Sequence, residues 1–533
     1  MAVLGSIKTM GVKEITVWFF DYLCLYLLFQ LIKFIYNTWW TPIHIQKVFR
    51  SQGIKGPSYR FHHGNTKEIS KMMEESKKKP MKLSHDILSV AQPHFDSWLS
   101  QYGSIFLYWY GTKARLVIAE PELIKEILNN KDGTYLKIQF EGYFKKLLGG
   151  GLVTAEGKKW IAQRKIANHS FHANSLKGMV KAMTESVEMM LERWRINYVE
   201  GKNEIEVFEE FRVLTSEVIS RTAFGSSYLE GKNIFDKISR LATLASVNTN
   251  KMKIPGIGTI FRSSDEIESE KLELEVRNSI IELVRKKEED IRLGGSESSD
   301  GCDFLGLLIK ATQETDEEKK ISIGDVIDEC KTFYFAGHET TTGLLAWTSL
   351  LLAINPDWQD KARKEATEFL NKNDSTPEFY NHVARSKTLN IIINETLRLY
   401  PIAGSVERRV AKKVRLGNLV LPPGIGVTIP ILALHHDAKI WGEDVHLFKP
   451  ERFSQGVGKA TTTSTTMAFL PFSYGPRICV GLNFALLEAK IALLMILSRY
   501  RFALSPTYVH SPVNHPTLQA RYGIQLTLHA LRI

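Results

Sequence analysis

A loop at residues 472–481, Phe472-Ser473-Tyr474-Gly475-Pro476-Arg477-Ile478-Cys479-Val480-Gly481, sets a lone thiol between two glycines just ahead of an apolar helical pattern over residues 482–497. Backbone N–H groups converge before a helix and the helix dipole favours negative charge there, so Cys479 can be held as a thiolate. Gly475 and Gly481 let the backbone approach a large flat ligand closely. The plainer reading, a small buried hydrophobe in a turn, stands beside this one. A second group of candidates is Phe335-Ala336-Gly337-His338-Glu339-Thr340-Thr341-Thr342-Gly343, a polar and β-branched insert in an otherwise apolar helical run. Such residues cost helix stability, so a reason is needed. Thr340 is spaced to bond the carbonyl of Ala336 and open the helix locally, while Ala336 and Gly337 leave room beside it. A kink without chemistry is the bland alternative, and His338 reads as a packing or hydrogen-bonding residue. Trp160 and Arg164 stand at i, i+4 among Lys158, Lys159 and Lys165, and Glu395 and Arg398 stand at i, i+3. Pairs of that kind occur on many solvated helices and mean little alone.

The elements that must carry these residues are legible in part. Ser322 with Asp325 makes a capping box and Asn355-Pro356 ends the pattern, so the polar insert rides on a helix of about 33 residues, about 50 Å long. Residues 105–118 form two β-rich runs around Gly111, a hairpin. Residues 419–434 carry β-branched runs broken by Pro-Pro-Gly, consistent with a small sheet, and the tail after Arg501 turns from loop to strand with a turn at Tyr522-Gly523. The stretch Gly294-Gly295-Ser296-Glu297-Ser298-Ser299-Asp300-Gly301 has the composition of a disordered surface loop.

At the N-terminus, residues 15–36 (ITVWFFDYLCLYLLFQLIKFIY) are long and apolar enough to span a bilayer, with Trp39 and Trp40 suited to its interface. No small-residue cleavage site follows, so the segment reads as a retained anchor. Lys47, Arg50, Lys55 and Arg60 outnumber the basic residues before it, which puts the rest of the chain on the cytoplasmic side. An amphipathic helix lying on the membrane is the alternative. Gly53-Ile54-Lys55-Gly56-Pro57 has the composition of a linker. The division that results is an anchor over 1–40, a basic Pro/Gly linker over 41–60 and one catalytic domain over 61–533. The 533 residues are 44% hydrophobic and 24% charged, ordinary for a folded protein. Four cysteines without paired spacing argue against a disulfide framework and fit a reducing compartment. A net charge of +11 calls for an acidic partner or an anionic membrane. No recognition motif supports nucleic acid.

The spacing Phe-x-x-Gly-x-Arg-x-Cys-x-Gly at 472–481 resembles the haem-binding signature of the cytochrome P450 family, and three more stretches resemble its motifs in the same order. They are Trp160-x-x-x-Arg164, the Ala336-Gly337-x-Glu339-Thr340 insert, and Glu395-x-x-Arg398 followed by Arg452 in Phe448-Lys449-Pro450-Glu451-Arg452-Phe453. The resemblance covers essentially the whole chain after the anchor. It implies a mostly α fold with a small β-rich lobe. It also implies haem b between the long helix and the Cys479 loop, with Cys479 as axial iron ligand framed by Phe472, Gly475, Arg477 and Gly481. By the same resemblance Trp160 and Arg164 contact haem propionates, and Arg408 or Arg409 nears another. Glu339 and Thr340 deliver protons for oxygen activation, and Glu395, Arg398 and Arg452 close a buried charge triad. Residues 139–144, the helix face at Phe335 and Ala336, and the C-terminal tip would line the substrate pocket, and the apolar stretch around Pro255-Gly256 could dip into the membrane.

Phrases such as Trp39-Trp40-Thr41-Pro42 and Gln52-Gly53-Ile54-Lys55-Gly56-Pro57 look like the plant clan that includes secologanin synthase and enzymes hydroxylating brassinosteroids, gibberellins, cytokinins and triterpenoids. The implied activity is a monooxygenase inserting one oxygen atom into an apolar terpenoid, steroid-like or hormone-like metabolite. Electrons would come from NADPH through NADPH-cytochrome P450 reductase docked on the basic face, at the endoplasmic reticulum membrane with the catalytic domain in the cytoplasm. Two rivals remain. A haem-thiolate isomerase or dehydratase needs no external electrons and tends to lose the acid–alcohol pair that this chain keeps. A non-catalytic haem-binding membrane protein would give no turnover with NADPH and reductase.

Overall fold

A computed structural model describes residues 12–78, 81–249, 262–293, 303–316, 319–370, 376–462 and 465–531. The expected surface loop at 294–301 and the Pro255-Gly256 stretch lie outside the described residues. The architecture is mostly helical with small sheets. At its centre the helix Ile323–Ile354 runs unbroken for 32 residues, entered through the Ser322–Asp325 capping box in which both reciprocal bonds form. Its C-terminal half is sealed all round: Trp347, Leu350, Leu351 and Leu352 are fully buried. Such a helix is what a core element of a large domain looks like.

The helix Val207–Ile219 lies closest against it. A side-chain carbon at Gly337 would stand 2.7 Å from Ile219 Cγ1, so glycine is what permits the approach. Thr215 Oγ1 and Thr342 Oγ1 share a hydrogen bond of 2.8 Å across the same contact. The room at Gly337 is therefore taken by a neighbouring helix. Thr340 Oγ1 does donate to Ala336 O at 2.7 Å, yet the helix continues through it. The bond forms without interrupting the helix.

The β-rich lobe is a five-stranded sheet. Ile105–Tyr110 and Lys113–Ile118 form the expected hairpin, with Ile105 opposite Ile118. Gly426–Ile429 runs parallel to the second strand, Val406–Val410 pairs antiparallel with it, and Tyr135–Leu136 closes the edge. Its core includes Trp109, Leu116, Val427 and Ile429, all fully buried. The tail supplies Tyr500–Leu504 and Gln525–Ala530, which pair with each other, the second also pairing with Glu204–Glu206.

The anchor helix Val12–Ile35 rises about 36 Å, enough for a hydrocarbon layer of about 30 Å. None of its apolar window is buried by the protein. It continues through a π-helical turn, Tyr36–Trp40, into the helix Thr41–Arg50. Pro42 falls in the first turn of that new helix, where a missing N–H costs nothing, so the helical path survives the proline. The basic segment after the anchor is accordingly docked and half helical. Phe49 is fully buried, Tyr59 donates to Thr38 O, and Leu107 N donates to Lys55 O at 2.9 Å. Gly56 sits so close to Leu107 that any side chain would overlap its carbonyl. Composition suggested a tether because Gly and Pro serve close packing as readily as flexibility.

Candidate active site

The Cys479 loop is built by short-range hydrogen bonds. Ser473 N donates to Leu470 O, Ile478 N to Gly475 O, and Cys479 N back to Phe472 O, each at 3.0 Å. Gly475 has φ +72°, and an added Cβ there would lie 2.2 Å from Leu128 O, so both its backbone and its surroundings require glycine. His435 anchors the loop from below: its Nε2 accepts from Leu470 N at 2.9 Å and its ring stacks on Phe469. The helix Leu482–Arg499 starts directly after Gly481, whose carbonyl receives the Ala485 N–H. Phe472 packs, half-buried, on the main core.

Cys479 itself shows two properties that pull apart. Protein surrounds it closely enough that burial pushes the thiol above its ordinary range, and the Gly481 N–H, Arg164 and Lys137 offset this only in part. At the same time its side chain is solvent-accessible, whereas Cys330 is packed shut. A residue deep in the fold with accessible surface faces an internal space. A thiol that coordinates a metal ion is deprotonated by it. Among the described residues Cys24, Cys330 and Cys479 are free of disulfides.

Around the thiol stands a crowd of cations. Arg164, four residues after Trp160 on the helix Gly157–Ser170, donates to Ile478 O at 2.6 Å. Arg477 lays its guanidinium over the Trp160 ring at 4.0 Å and bonds Ala155 O and Glu156 Oε2 at 2.8 and 2.5 Å. Lys137 is pushed down to about 7, first by burial and then by Arg408 and Arg477. Arg408 is 2% exposed with its Nη2 unpartnered, whereas Arg409 is half-buried. Strand alternation puts only one of the two arginines on this side, and the electrostatic coupling of Arg408 to Arg477 and Glu156 identifies it. These four basic residues thus gather near the carboxylates Glu156 and Glu407. An orphaned buried guanidinium nitrogen and an excess of positive charge beside a deep thiol fit a dianionic, thiolate-ligated group such as haem.

On the central helix, Glu339 turns toward the C-terminal strand Leu518–Ala520. Its Oε1 accepts from Thr517 Oγ1 at 2.8 Å and from the Gln519 amide. His338 is buried with Nδ1 2.5 Å from Tyr334 O and its ring edge-on to Phe235. Residues 335–337, 339 and 340 are only half-buried within the stretch 329–352, which is otherwise buried.

The third constellation is distant in sequence and tight in space. Glu395 and Arg398, both with fully buried side chains, form two parallel bonds of 2.7 and 2.8 Å. Arg398 also donates to the carbonyls of His435, Val445 and Leu447, and Lys449 N donates to Glu395 Oε1 at 3.0 Å. Arg452 approaches Glu395 at 3.7 Å but spends its hydrogen bonds on Trp441 O and Asp444. This corner buttresses His435, and through it the Cys479 loop.

A chain that holds all these constellations, in this order and on this scaffold, has a counterpart. The family model described as Cytochrome P450 matches residues 88–528. The chain belongs to the cytochrome P450 family. This cytochrome P450 is 52% identical over 531 residues to "Cytochrome P450 CYP749A22" of Panax ginseng, covering 99% of this chain and 100% of that protein. It is 40% identical to "Cytochrome P450 CYP72A616" of Paris polyphylla, over 92% of this chain and 95% of that one. It is 38% identical to a "Cytokinin hydroxylase" of Arabidopsis thaliana, over 94% and 96% respectively. The protein is therefore a haem monooxygenase of a plant P450 clan, with haem b as its cofactor.

Several residues at this P450 site escaped the motifs. Lys137, Glu156 and His435 belong to no pattern, and Thr517 and Gln519 touch Glu339 from nearly 180 residues away. Lys159, grouped with the basic helix face, is tied to Asp325 at 2.5 Å.

Proposed function

We propose that this P450 hydroxylates an apolar small metabolite of the terpenoid, steroid-like or hormone-like class, using electrons from NADPH delivered by NADPH-cytochrome P450 reductase. The observation that carries the reading is Cys479, deep in the fold yet open to an internal space, with Lys137 and Arg164 acting on it and Arg408 and Arg477 beside Lys137. Bound haem supplies activation of dioxygen by stepwise addition of two electrons. Cys479 ligates its iron, Trp160, Arg164, Arg408 and Arg477 hold its acidic edge, and Phe472, Gly475 and Gly481 shape the thiol's surroundings. The exposed Trp39 and Trp40 at the anchor's end, with Lys47 and Arg50 beyond them, favour a cytoplasmic catalytic domain at the endoplasmic reticulum. Exposed Lys158 and Lys165 beside Trp160 suit an acidic electron donor. Arabidopsis Cytokinin hydroxylase among the relatives supports a hydroxylated small-molecule product.

Thr340 and Glu339 manage protons in this reading. Thr340 gives its hydroxyl proton to Ala336 O, so Oγ1 presents lone pairs and accepts a hydrogen bond from a proton donor in front of it. Glu339 is parked on Thr517 and Gln519, and it must swing from them to hand a proton inward. Thr340→Ala leaves haem content unchanged and lowers product formed per NADPH consumed; unchanged coupling sinks the role given to Thr340.

The function is tested with full-length protein in membranes, NADPH, reductase and a panel of apolar terpenoids, steroids and plant hormones under ¹⁸O₂. One labelled oxygen atom in a product that forms only with NADPH and reductase supports the reading. A product formed without either would instead assign an isomerase or dehydratase.

A further inference from the structure

Beside the buried Glu395–Arg398 pair, three side chains from separate stretches converge. Asp86 precedes the short helix Leu88–Ala91, His436 follows the helix Ile431–His435, and His446 lies in the loop after Ala438–Trp441. One ligand atom from each stands within 4.8 Å of the other two. His446 Nε2 is 3.8 Å from Asp86 Oδ1, and the two imidazole rings are 5.3 Å apart at 71°.

The hydrogen bonding of His436 points to a ligand. It is 7% exposed, and its Nε2 lies 2.9 Å from the carbonyl of Leu399. A carbonyl only accepts, so the proton sits on Nε2 and Nδ1 presents a bare lone pair. That Nδ1 is buried and has no hydrogen-bond partner, and neither does Nδ1 of His446. The adjacent His435 shows the contrast, with Nδ1 at Leu397 O and Nε2 receiving the Leu470 N–H. An unmet lone pair out of water is costly, and a metal-binding histidine characteristically donates its other N–H to a backbone carbonyl.

We propose that Asp86, His436 and His446 form a zinc site, separate from the haem centre, with water completing the coordination. Two imidazoles and one carboxylate are the donor set of a three-ligand zinc site with an open position. Tetrahedral coordination at zinc–nitrogen distances of about 2.0 Å needs ligand atoms about 3.3 Å apart, so the cluster must contract. Asp86 is exposed and can swing inward, while His436 is held in place. The nearby Arg398 charge does not oppose the ion, because Glu395 already pairs with it. Zinc there clips the stretch before Leu88 to the body. That stretch also holds His85 against Tyr400 at 2.8 Å and offers Ser84 O to His510 at 3.0 Å, beside the tail that carries Thr517 and Gln519.

The test uses untagged, haem-loaded, full-length protein stripped by a chelator, equilibrated with zinc ions and analysed for zinc against haem iron. About one zinc per haem is expected, with affinity at least ~10-fold weaker in His446→Ala and in Asp86→Asn. Both positions are partly exposed, and an unchanged carbon monoxide difference spectrum certifies that each variant is folded. Zinc absent from the wild type, or bound equally by wild type and both variants, overturns the proposal.

Discussion

Glu395→Ala yields no recoverable haem-loaded protein. The substitution removes the carboxylate from a corner where the Arg398 side chain has no exposed surface, so the guanidinium is left charged, dry and short of its bidentate partner. Three backbone carbonyls still face Arg398, but none carries a full charge. The Lys449 N–H loses its acceptor and Arg452 loses the anion 3.7 Å away. Breaking a buried pair in this way costs about 3–5 kcal/mol, against a total stability of about 5–15 kcal/mol for a typical protein. The damage is also well placed to release haem, because Arg398 holds the carbonyl of His435, and His435 holds the start of the Cys479 loop. Haem content and near-ultraviolet circular dichroism of the purified variant give the measurement. Glu395→Gln keeps hydrogen-bond acceptance without charge and should retain a larger haem-loaded fraction than Ala. Recovery of normal holoprotein from Glu395→Ala would remove the triad from the account.

The second large effect belongs to the thiol. The dithionite-reduced wild type under carbon monoxide gives a strongly red-shifted Soret band, and Cys479→His loses that band together with all NADPH-dependent product. The backbone of the loop does not depend on the sulfur: Cys479 N reaches Phe472 O, and Gly475 makes its turn, whatever side chain stands at 479. The side chain faces open space, so imidazole can be accommodated, and the variant tests ligand chemistry more than folding. Thiolate donation is what favours O–O cleavage, and neutral imidazole is a weaker donor. A wild type that binds haem without the red-shifted band, or a variant that keeps it, would mean that Cys479 is not the ligand.

Much of the site was legible because it rests on local chemistry. A capping box, an i, i+4 hydroxyl-to-carbonyl bond and a hairpin around glycine each involve residues a few positions apart, and Ser322–Asp325, Thr340–Ala336 and residues 105–118 formed as read. Where a local rule competed with packing, packing won. The central helix stayed unbroken at Thr340, Gly337 was used to seat Ile219, and the Gly/Pro-rich stretch after the anchor docked on Leu107.

By itself the sequence placed the Cys479 thiol just ahead of a helix, Glu339 and Thr340 side by side on the long helix, the charge pair Glu395–Arg398 and the apolar N-terminal helix, since each is a property of residue type and short spacing. Only the tertiary structure decided which arginine of the 408–409 pair turns inward, that Glu156 joins Lys137 to Arg477, that Glu339 rests on Thr517 and Gln519, and that Asp86 meets His436 and His446. Arg477 and Glu156 are 321 residues apart along the chain. No periodicity carries information over such a separation; the partner is chosen by how helices and sheet close around a common core, which buries one side chain of a strand pair and leaves the next only half-buried.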